Sequence, residues 1–159
     1  MLVYRTKLGE AYCGDSLDLI RKLDDNSVDL IVTSPPFPLG RRQKSYGNVE
    51  SDIYVDWLTQ FAELIYNKLK DTGSLVIDLG ACYNKGEPTY NLYQFRVLLK
   101  FCDVLGYKLA QPWYWHNTSA LPAPIEWVNK RKIRAKNSVN TVWWFSKTSN
   151  PKADVTKVL

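Results

Sequence analysis

The chain has 159 residues, which is the size of one ordinary domain. Because 45% of the residues are hydrophobic and 13% are aromatic, it can bury a substantial core, and this composition argues against an intrinsically disordered protein. The net charge of +5 is compatible with a polyanionic partner, although many basic proteins bind no nucleic acid.

The first half of the chain predicts short helices and apolar strands. Ser16 is placed to cap a short helix over residues 17–23, whose apolar side chains fall about three apart. A short buried strand is expected over residues 28–32. It should end at the two prolines that follow Ser34, because prolines cannot continue a central strand. Residues 38–48 are expected to form a loop.

The rest of the chain predicts two longer helices and three strands. An apolar stripe at helical spacing indicates a helix over residues 51–70, with Gly73 as its terminator. A second helix should end at Gly106. The predicted elements are a buried strand at 74–79, a helix at 91–105, and strands near 107–116 and 139–147.

This order of elements predicts an α/β fold with a three-layer, Rossmann-like sheet of four or five strands. The first strands are joined by helices and should be parallel, whereas the last two should form an antiparallel hairpin at the C-terminal end. Ligand sites of such sheets lie at the carboxyl ends of the strands. Ser34 and Asp78 both lie at such ends.

Cysteine, histidine and hydropathy patterns narrow the class of protein further. The three cysteines are scattered and show neither metal spacing nor a disulfide framework, and there is only one histidine, which leaves little material for a zinc site or a Ser-His-Asp triad. Because no apolar run approaches a membrane span and the N-terminus lacks a signal-peptide pattern, we expect a reduced, cytoplasmic protein.

The segment Ser34-Pro35-Pro36-Phe37 carries the chemistry that the sequence indicates most clearly. By itself it could be a plain turn, but its context suits methylation of an exocyclic base amine. The Ser34 hydroxyl and Pro35 carbonyl can accept the two amine hydrogens, and the prolines hold that carbonyl rigidly. Phe37 offers a face for a base, which must first be flipped out of the duplex.

Several motifs together resemble the permuted amino-methyltransferases of restriction–modification systems. The resemblance extends from about Ala11 to the end of the chain. It rests on Gly14-Asp15-Ser16, on Ser27-Val28-Asp29-Leu30-Ile31-Val32-Thr33 followed by Ser34-Pro35-Pro36-Phe37, on Pro124-Ile125-Glu126-Trp127-Val128-Asn129-Lys130-Arg131-Lys132, and on Val139-Asn140-Thr141-Val142-Trp143-Trp144-Phe145-Ser146-Lys147-Thr148.

The resemblance implies roles for particular residues. It makes residues 1–159 the catalytic region of a methyltransferase domain, with Ser34, Pro35, Pro36 and Phe37 binding the target base and Asp78 holding Ser34. It implies S-adenosyl-L-methionine as the methyl donor, with Asp15 and Ser34 near it, and double-stranded DNA as the substrate. Serine before the prolines indicates cytosine N4, because the adenine enzymes of this superfamily mostly have aspartate there.

The basic side chains of two segments are candidates for contacts with the DNA backbone. A solvated loop is the alternative interpretation of the later segment, but the resemblance favours phosphate contacts there, and the earlier segment similarly suggests a loop that faces DNA. The candidates are Arg41, Arg42 and Lys44 after the proline motif, and Lys130, Arg131, Lys132 and Arg134 in the later connection.

The sequence departs from the family in one respect. Its permuted members carry a Phe-x-Gly-x-Gly motif for the cofactor near their C-terminus, and this motif is absent here, as is most of the target-recognition region. Asp78-Leu79-Gly80 resembles a glycine loop only weakly. We therefore expect an incomplete half, which is either a fragment whose C-terminal half is missing or one polypeptide of a split enzyme with a complementing C-terminal chain. An adenine-N6 enzyme, an inactive DNA-binding remnant and an RNA or protein amine methyltransferase remain the alternatives.

Overall fold

The computed structural model describes residues 1–38, 49–121 and 124–157. Its elements are β1 (Leu2–Arg5), β2 (Glu10–Tyr12), α1 (Ser16–Arg21), β3 (Val28–Thr33), α2 (Ser51–Lys68), β4 (Leu69–Leu79), α3 (Tyr93–Leu99), β5 (Lys108–His116) and β6 (Val139–Ser146). Two π-helical turns lie at Lys100–Val104 and Glu126–Lys130, and a short 3-10 turn lies at Val155–Lys157.

Four of the strands form one mixed sheet in the order β3-β4-β6-β5. β3 is parallel to β4, and β6 is antiparallel to both of its neighbours, so three of the four strands point the same way. The predicted α/β fold, with a parallel first pair and a C-terminal antiparallel hairpin, is confirmed. β1 and β2 form a separate, largely exposed hairpin that the sequence analysis did not predict.

The helices pack on one face of this sheet and form the core with it. The apolar positions of α2 recur every three or four residues, so they fall on one side of the helix. They are buried against alternate residues of β4 and β6 and against α3 with its π-helical turn. The core includes Tyr54, Leu58, Ala62, Ile65, Leu75, Ile77, Leu79, Tyr93, Val97, Phe101, Tyr107, Trp143 and Phe145.

The opposite face of the sheet is apolar and largely uncovered within the described residues, although residues 152–154 line the same groove. Leu30 and Val32 of β3 are 56% and 69% exposed. The prediction of a fully buried strand over residues 28–32 is therefore wrong for these two side chains. Their face continues across the sheet through Val76, Trp144 and Trp113, which line the same shallow groove. We call these five side chains the bare face.

Two short-range predictions need correction. α1 is capped by Asp15 rather than Ser16, because the Asp15 backbone is extended and its Oδ1 accepts the amide of Leu17 at 2.8 Å. α2 ends at Lys68, and the chain passes directly into β4, so Gly73 lies inside a strand instead of terminating the helix. A Cβ on Gly73 would lie 2.9 Å from the carbonyl oxygens of Lys70 and Val28, so close backbone approach explains the glycine.

The end of the second long helix follows the sequence prediction. α3 continues through the π-helical turn Lys100–Val104, and Gly106 then adopts a φ of +86°. A left-handed residue after a helix is most easily supplied by glycine. The chain turns there into β5, as expected.

None of the helices in the described ranges is long and apolar enough to cross a membrane. Within the same ranges, the three cysteines are free thiols, and no cluster of three or more histidine, cysteine or acidic side chains could hold a metal ion.

Because three tyrosines are buried, we expect the folded protein to lose stability at alkaline pH. Burial raises the pKa of Tyr54, Tyr93 and Tyr107 above the ordinary value of 10.0. The folded state therefore favours the neutral phenol. The contribution of these phenols to the free energy of unfolding is complete below pH 10 and is lost as the pH rises beyond it. We expect urea unfolding midpoints to fall above pH 10, with the tyrosinate absorbance of these three side chains appearing only on unfolding.

Tyr54→Phe is the matched variant for this prediction. No described group donates to or accepts from the Tyr54 hydroxyl, so its removal breaks no hydrogen bond. The variant should keep the neutral-pH midpoint and lose stability less steeply with rising pH. Ionisation of the three tyrosines near pH 10 in a chain that stays folded would contradict the prediction.

Candidate active site

The register of β3 and β4 places Ser34 beside Asp78. Val32 lies opposite Val76 in the parallel pair. Ser34 and Asp78 each follow two positions later, and side chains two positions apart point to the same face of a sheet. The Ser34 Oγ donates a hydrogen bond to Asp78 Oδ2 at 3.2 Å. The contact expected from the two strand ends is therefore present, and it lies on the same side of the sheet as the bare face.

The second carboxylate oxygen of Asp78 has no hydrogen-bond donor among the described residues. Oδ1 is buried, whereas Ser34 is exposed. A buried acceptor without a donor is uncommon in folded proteins and is satisfied by a water or a ligand. The pair therefore presents one accessible acceptor, the exposed Ser34 hydroxyl oxygen, whose hydrogen is held by the Asp78 carboxylate.

The residues after Ser34 form a short loop that packs onto the segment following β4. We call Ser34–Pro38 the target-base loop. Pro36 is exposed, Pro35 and Phe37 are half-buried, and Pro38 is buried. The Phe37 ring lies directly over Gly80, so its position is fixed relative to the Ser34–Asp78 pair.

Asp15 has a structural task in the chain as described. Its Oδ1 accepts the amides of Leu17 and Asp18 at 2.8 and 3.4 Å, which neutralises part of the positive end of α1. The cofactor contact suggested by the resemblance stays a prediction.

The basic connection, residues 130–134, begins with two ion pairs. Lys130 and Arg131 lie 3.3 and 3.1 Å from the Glu126 carboxylate, and hydrogen bonds from both hold the pKa of Glu126 below its usual value. All three side chains are exposed, and exposed ion pairs contribute little to stability. Phosphates could therefore compete for these cations. Lys132 follows them with a φ of +55° and is also exposed.

The Arg134 guanidinium packs against two aromatic rings, as the Arg131 guanidinium does against the Trp127 ring at 4.7 Å. It lies 4.1 Å from the centre of the Tyr83 ring and 4.9 Å from that of Tyr90, and it donates to the Pro88 carbonyl at 3.3 Å. These contacts anchor the connection to the loop before α3. Arg41, Arg42 and Lys44 lie outside the described residues.

The sequence analysis did not anticipate three features of this region. They are the bare face, the packing of Phe37 on Gly80 and the packing of Arg134 on two tyrosine rings. Only the first had a visible signal, the apolar side chains of β3 and the aromatic run Trp113-Tyr114-Trp115 in the strand at the opposite edge of the sheet. The other two depend on contacts between segments more than forty residues apart.

Comparison with known sequences identifies the family. Residues 28–159 match the DNA methylase family of N6 and N4 methyltransferases. The chain belongs to this family. It is 55% identical over 156 residues to the type II methyltransferase M.PvuII of Proteus hauseri, covering 98% of this chain and 46% of that protein. It is 32% identical over 133 residues to M.SfiI of Streptomyces fimbriatus, covering 72% of this chain and 31% of that protein.

Solved structures agree with this assignment. The PvuII DNA methyltransferase, described as cytosine-N4-specific, superimposes with a TM-score of 0.83 at 55% identity, over 93% of this chain and 52% of that one. A Thermus thermophilus structure with bound S-adenosyl-L-methionine has a TM-score of 0.63 at 19% identity, over 91% of this chain and 55% of that one, which shows the shared fold alone. The chain thus spans about half the length of M.PvuII.

Proposed function

We propose that this chain is the target-base-binding and catalytic region of a DNA methyltransferase that modifies the N4 atom of cytosine, with S-adenosyl-L-methionine as the methyl donor. The observation that carries the proposal is the Ser34–Asp78 pair at two adjacent strand ends, with one Asp78 oxygen lacking a described donor. The 55% identity to a protein described as cytosine-N4-specific supports the choice of base.

The geometry suits activation of an amine that is a poor nucleophile. The N4 lone pair of cytosine is delocalised into the ring. Acceptors that hold both hydrogens can turn the nitrogen toward tetrahedral geometry and free that lone pair. Ser34 Oγ donates to Asp78 and keeps its own lone pairs for one N–H, while the Pro35 carbonyl can take the other.

The charge of Asp78 has a second effect on the reaction. As the N–C bond forms, the amine nitrogen becomes positive, and a fixed carboxylate beside it stabilises that charge. The methylated amine then loses one proton to restore neutrality. Because this proton can leave after the transfer, the site needs no separate general base. Phe37 supplies a face on which the flipped base stacks.

The described residues supply one side of a cofactor site. S-adenosyl-L-methionine provides an electrophilic methyl group when it is bound. Ser34 and Asp78 would face it from the strand ends, and the Asp15 carboxylate lies at the start of α1. A binding pocket encloses most of its ligand, so these residues alone do not fit a complete cofactor site.

The bare face supports the proposal that a complementing polypeptide supplies the other side of the cofactor site. Sheets with parallel strands are normally covered on both faces, and Leu30 and Val32 leave this face exposed. The two edges also differ. Both edge strands have a register shift, but only β5 also contains a proline, Pro112, which protects an edge. We infer that the partner adds a strand beside β3 and packs helices on the bare face.

A reconstitution assay tests the proposed function. The partner would be the C-terminal remainder of M.PvuII, the part of that relative that this chain does not match. The chain and remainder are mixed with tritiated S-adenosyl-L-methionine and amplified bacterial chromosomal DNA. We expect tritium in DNA only when both polypeptides are present. No transfer by the mixture, or equal transfer by the remainder alone, would refute the proposal.

The basic connection should contribute salt-sensitive DNA binding that is independent of base sequence. We expect glutamine substitutions of Lys130, Arg131 and Lys132 to flatten the plot of log binding constant against log salt by about 0.9 for each phosphate that is no longer bound. Fluorescence anisotropy of a labelled duplex measures the slope. Lys7→Gln, at an exposed lysine of the β1–β2 turn, is the control. A slope equal to that of the unaltered chain would identify the cluster as a solvated loop.

A further inference from the structure

Gly80 is a glycine because an aromatic ring occupies the space where a side chain would be. A Cβ built on Gly80 would lie 2.5 Å from Cδ2 of Phe37, well inside contact distance. Gly80 is buried, and it is not among the described glycines with a positive φ. Steric room for Phe37, rather than backbone conformation, therefore accounts for the absence of a side chain.

A second contact holds the end of the target-base loop. The Cys82 Sγ donates to the carbonyl of Pro38 at 2.7 Å, and both residues are buried. Burial raises the pKa of the Cys82 thiol, so the group stays protonated and can act as a donor. The loop is thus fixed at two consecutive residues, Phe37 by packing and Pro38 by a hydrogen bond.

The segment that makes these contacts is itself fixed by the first turn of α3. The buried Tyr93 hydroxyl donates to the carbonyl of Gly80, and the buried Gln94 amide donates to that of Leu79. The Asn91 amide donates to the Cys82 carbonyl at 2.9 Å. Residues 79–82 are therefore held between α3 and the target-base loop.

We propose that Gly80 and Cys82 are positioning residues, which set the place of the Phe37 ring and hence the depth at which a base stacks beside Ser34 and Asp78. The inference rests on the proposed function, since it assigns a base to that ring. It also gives Asp78-Leu79-Gly80 a task other than cofactor binding. The Phe37 ring packs directly against the glycine of this motif.

A double-mutant cycle tests the packing part on the chain itself and needs no activity. Gly80→Ala should lower the urea unfolding midpoint in the wild-type background. When Phe37 is also replaced by alanine, no ring occupies the space that the new Cβ needs. Gly80→Ala should then lower the midpoint by less than half as much. Gly9→Ala is the matched glycine control, because its Cβ would meet only Thr6 Oγ1 at 3.9 Å. Equal decreases in both backgrounds would overturn the inference.

Methyl transfer by the reconstituted pair tests the positioning part. Cys82→Ala should lower kcat by roughly 10- to 100-fold, as a displaced reacting group does, with little change in KM for S-adenosyl-L-methionine. Cys82→Ser, which retains a donor, should recover most of the rate. Equal rates for wild type and Cys82→Ala, or equal decreases for both variants, would overturn the role of Cys82. If the wild-type pair transfers no methyl group, the proposed function fails, and the stability cycle alone decides whether Gly80 seats Phe37.

Discussion

Replacing Ser34 with alanine should lower methyl transfer by the reconstituted pair by roughly 10²–10³, by analogy with the loss of one fixed hydrogen-bond donor in an oxyanion hole. The substitution removes an amine acceptor and leaves Asp78 Oδ2 without the donor that lies 3.2 Å away in the folded chain. Because Ser34 is exposed, the fold should tolerate the change. Single-turnover transfer from tritiated S-adenosyl-L-methionine measures the rate.

DNA binding provides the internal control for this variant. The proposed phosphate contacts of the basic connection do not involve Ser34, so anisotropy with duplex DNA should be close to that of wild type. Ser149→Ala, at an exposed serine near the other end of β6, should leave the rate unchanged. Asp78→Asn should also slow the reaction, and the double variant should be impaired by less than the two single effects combined, since the residues act as one unit. Unchanged turnover in Ser34→Ala would remove this residue from the mechanism.

The second large effect concerns the cofactor. The chain alone should bind S-adenosyl-L-methionine far more weakly than a micromolar dissociation constant, which corresponds to about −8 kcal/mol. In the proposed site its described residues form only one side of a pocket, and a ligand that touches one side loses most of its burial. Adding the C-terminal remainder of M.PvuII should restore binding together with methylation. Isothermal titration calorimetry measures both cases, and micromolar binding by the lone chain would contradict the split-site account.

A substitution in the bare face tests whether the C-terminal remainder of M.PvuII associates through this face or acts nonspecifically. Val32→Asp changes a side chain that is 69% exposed in the chain alone, so it should not unfold the protein. It should weaken association with the remainder by roughly tenfold or more, because an unpaired charge would be buried at the interface. Val104→Asp, at a valine 64% exposed on the helical side, is the matched control. Equal association by both variants would show that the partner does not use the bare face.

The sequence was sufficient to predict the Ser34–Asp78 contact because local rules decide it. An apolar strand that ends in two prolines must stop there, and parallel neighbours bring their carboxyl ends to one edge. The end of the α3 segment was equally predictable, since Gly106 alone of the nearby residues readily takes a positive φ.

Other features depended on choices that local patterns do not determine. Asp15 and Ser16 are both good helix caps, and the extended backbone at Asp15 decides between them. The burial of Leu30 and Val32 depends on what covers the second face of the sheet, which their own spacing cannot reveal. Arg134 lies in a basic run that is typical of phosphate contacts, yet its guanidinium packs on the aromatic rings of residues 83 and 90.

The identity of the methylated base tests the central proposal most directly. DNA modified by the reconstituted pair can be digested to nucleosides and analysed by mass spectrometry against N4-methylcytosine, C5-methylcytosine and N6-methyladenine standards. The acceptor arrangement at Ser34 and the 55% identity to a cytosine-N4-specific protein predict N4-methylcytosine alone, and none when Ser34 is alanine. N6-methyladenine as the product would show that the Ser34–Asp78 site accepts a different base, and unmodified DNA would contradict the account.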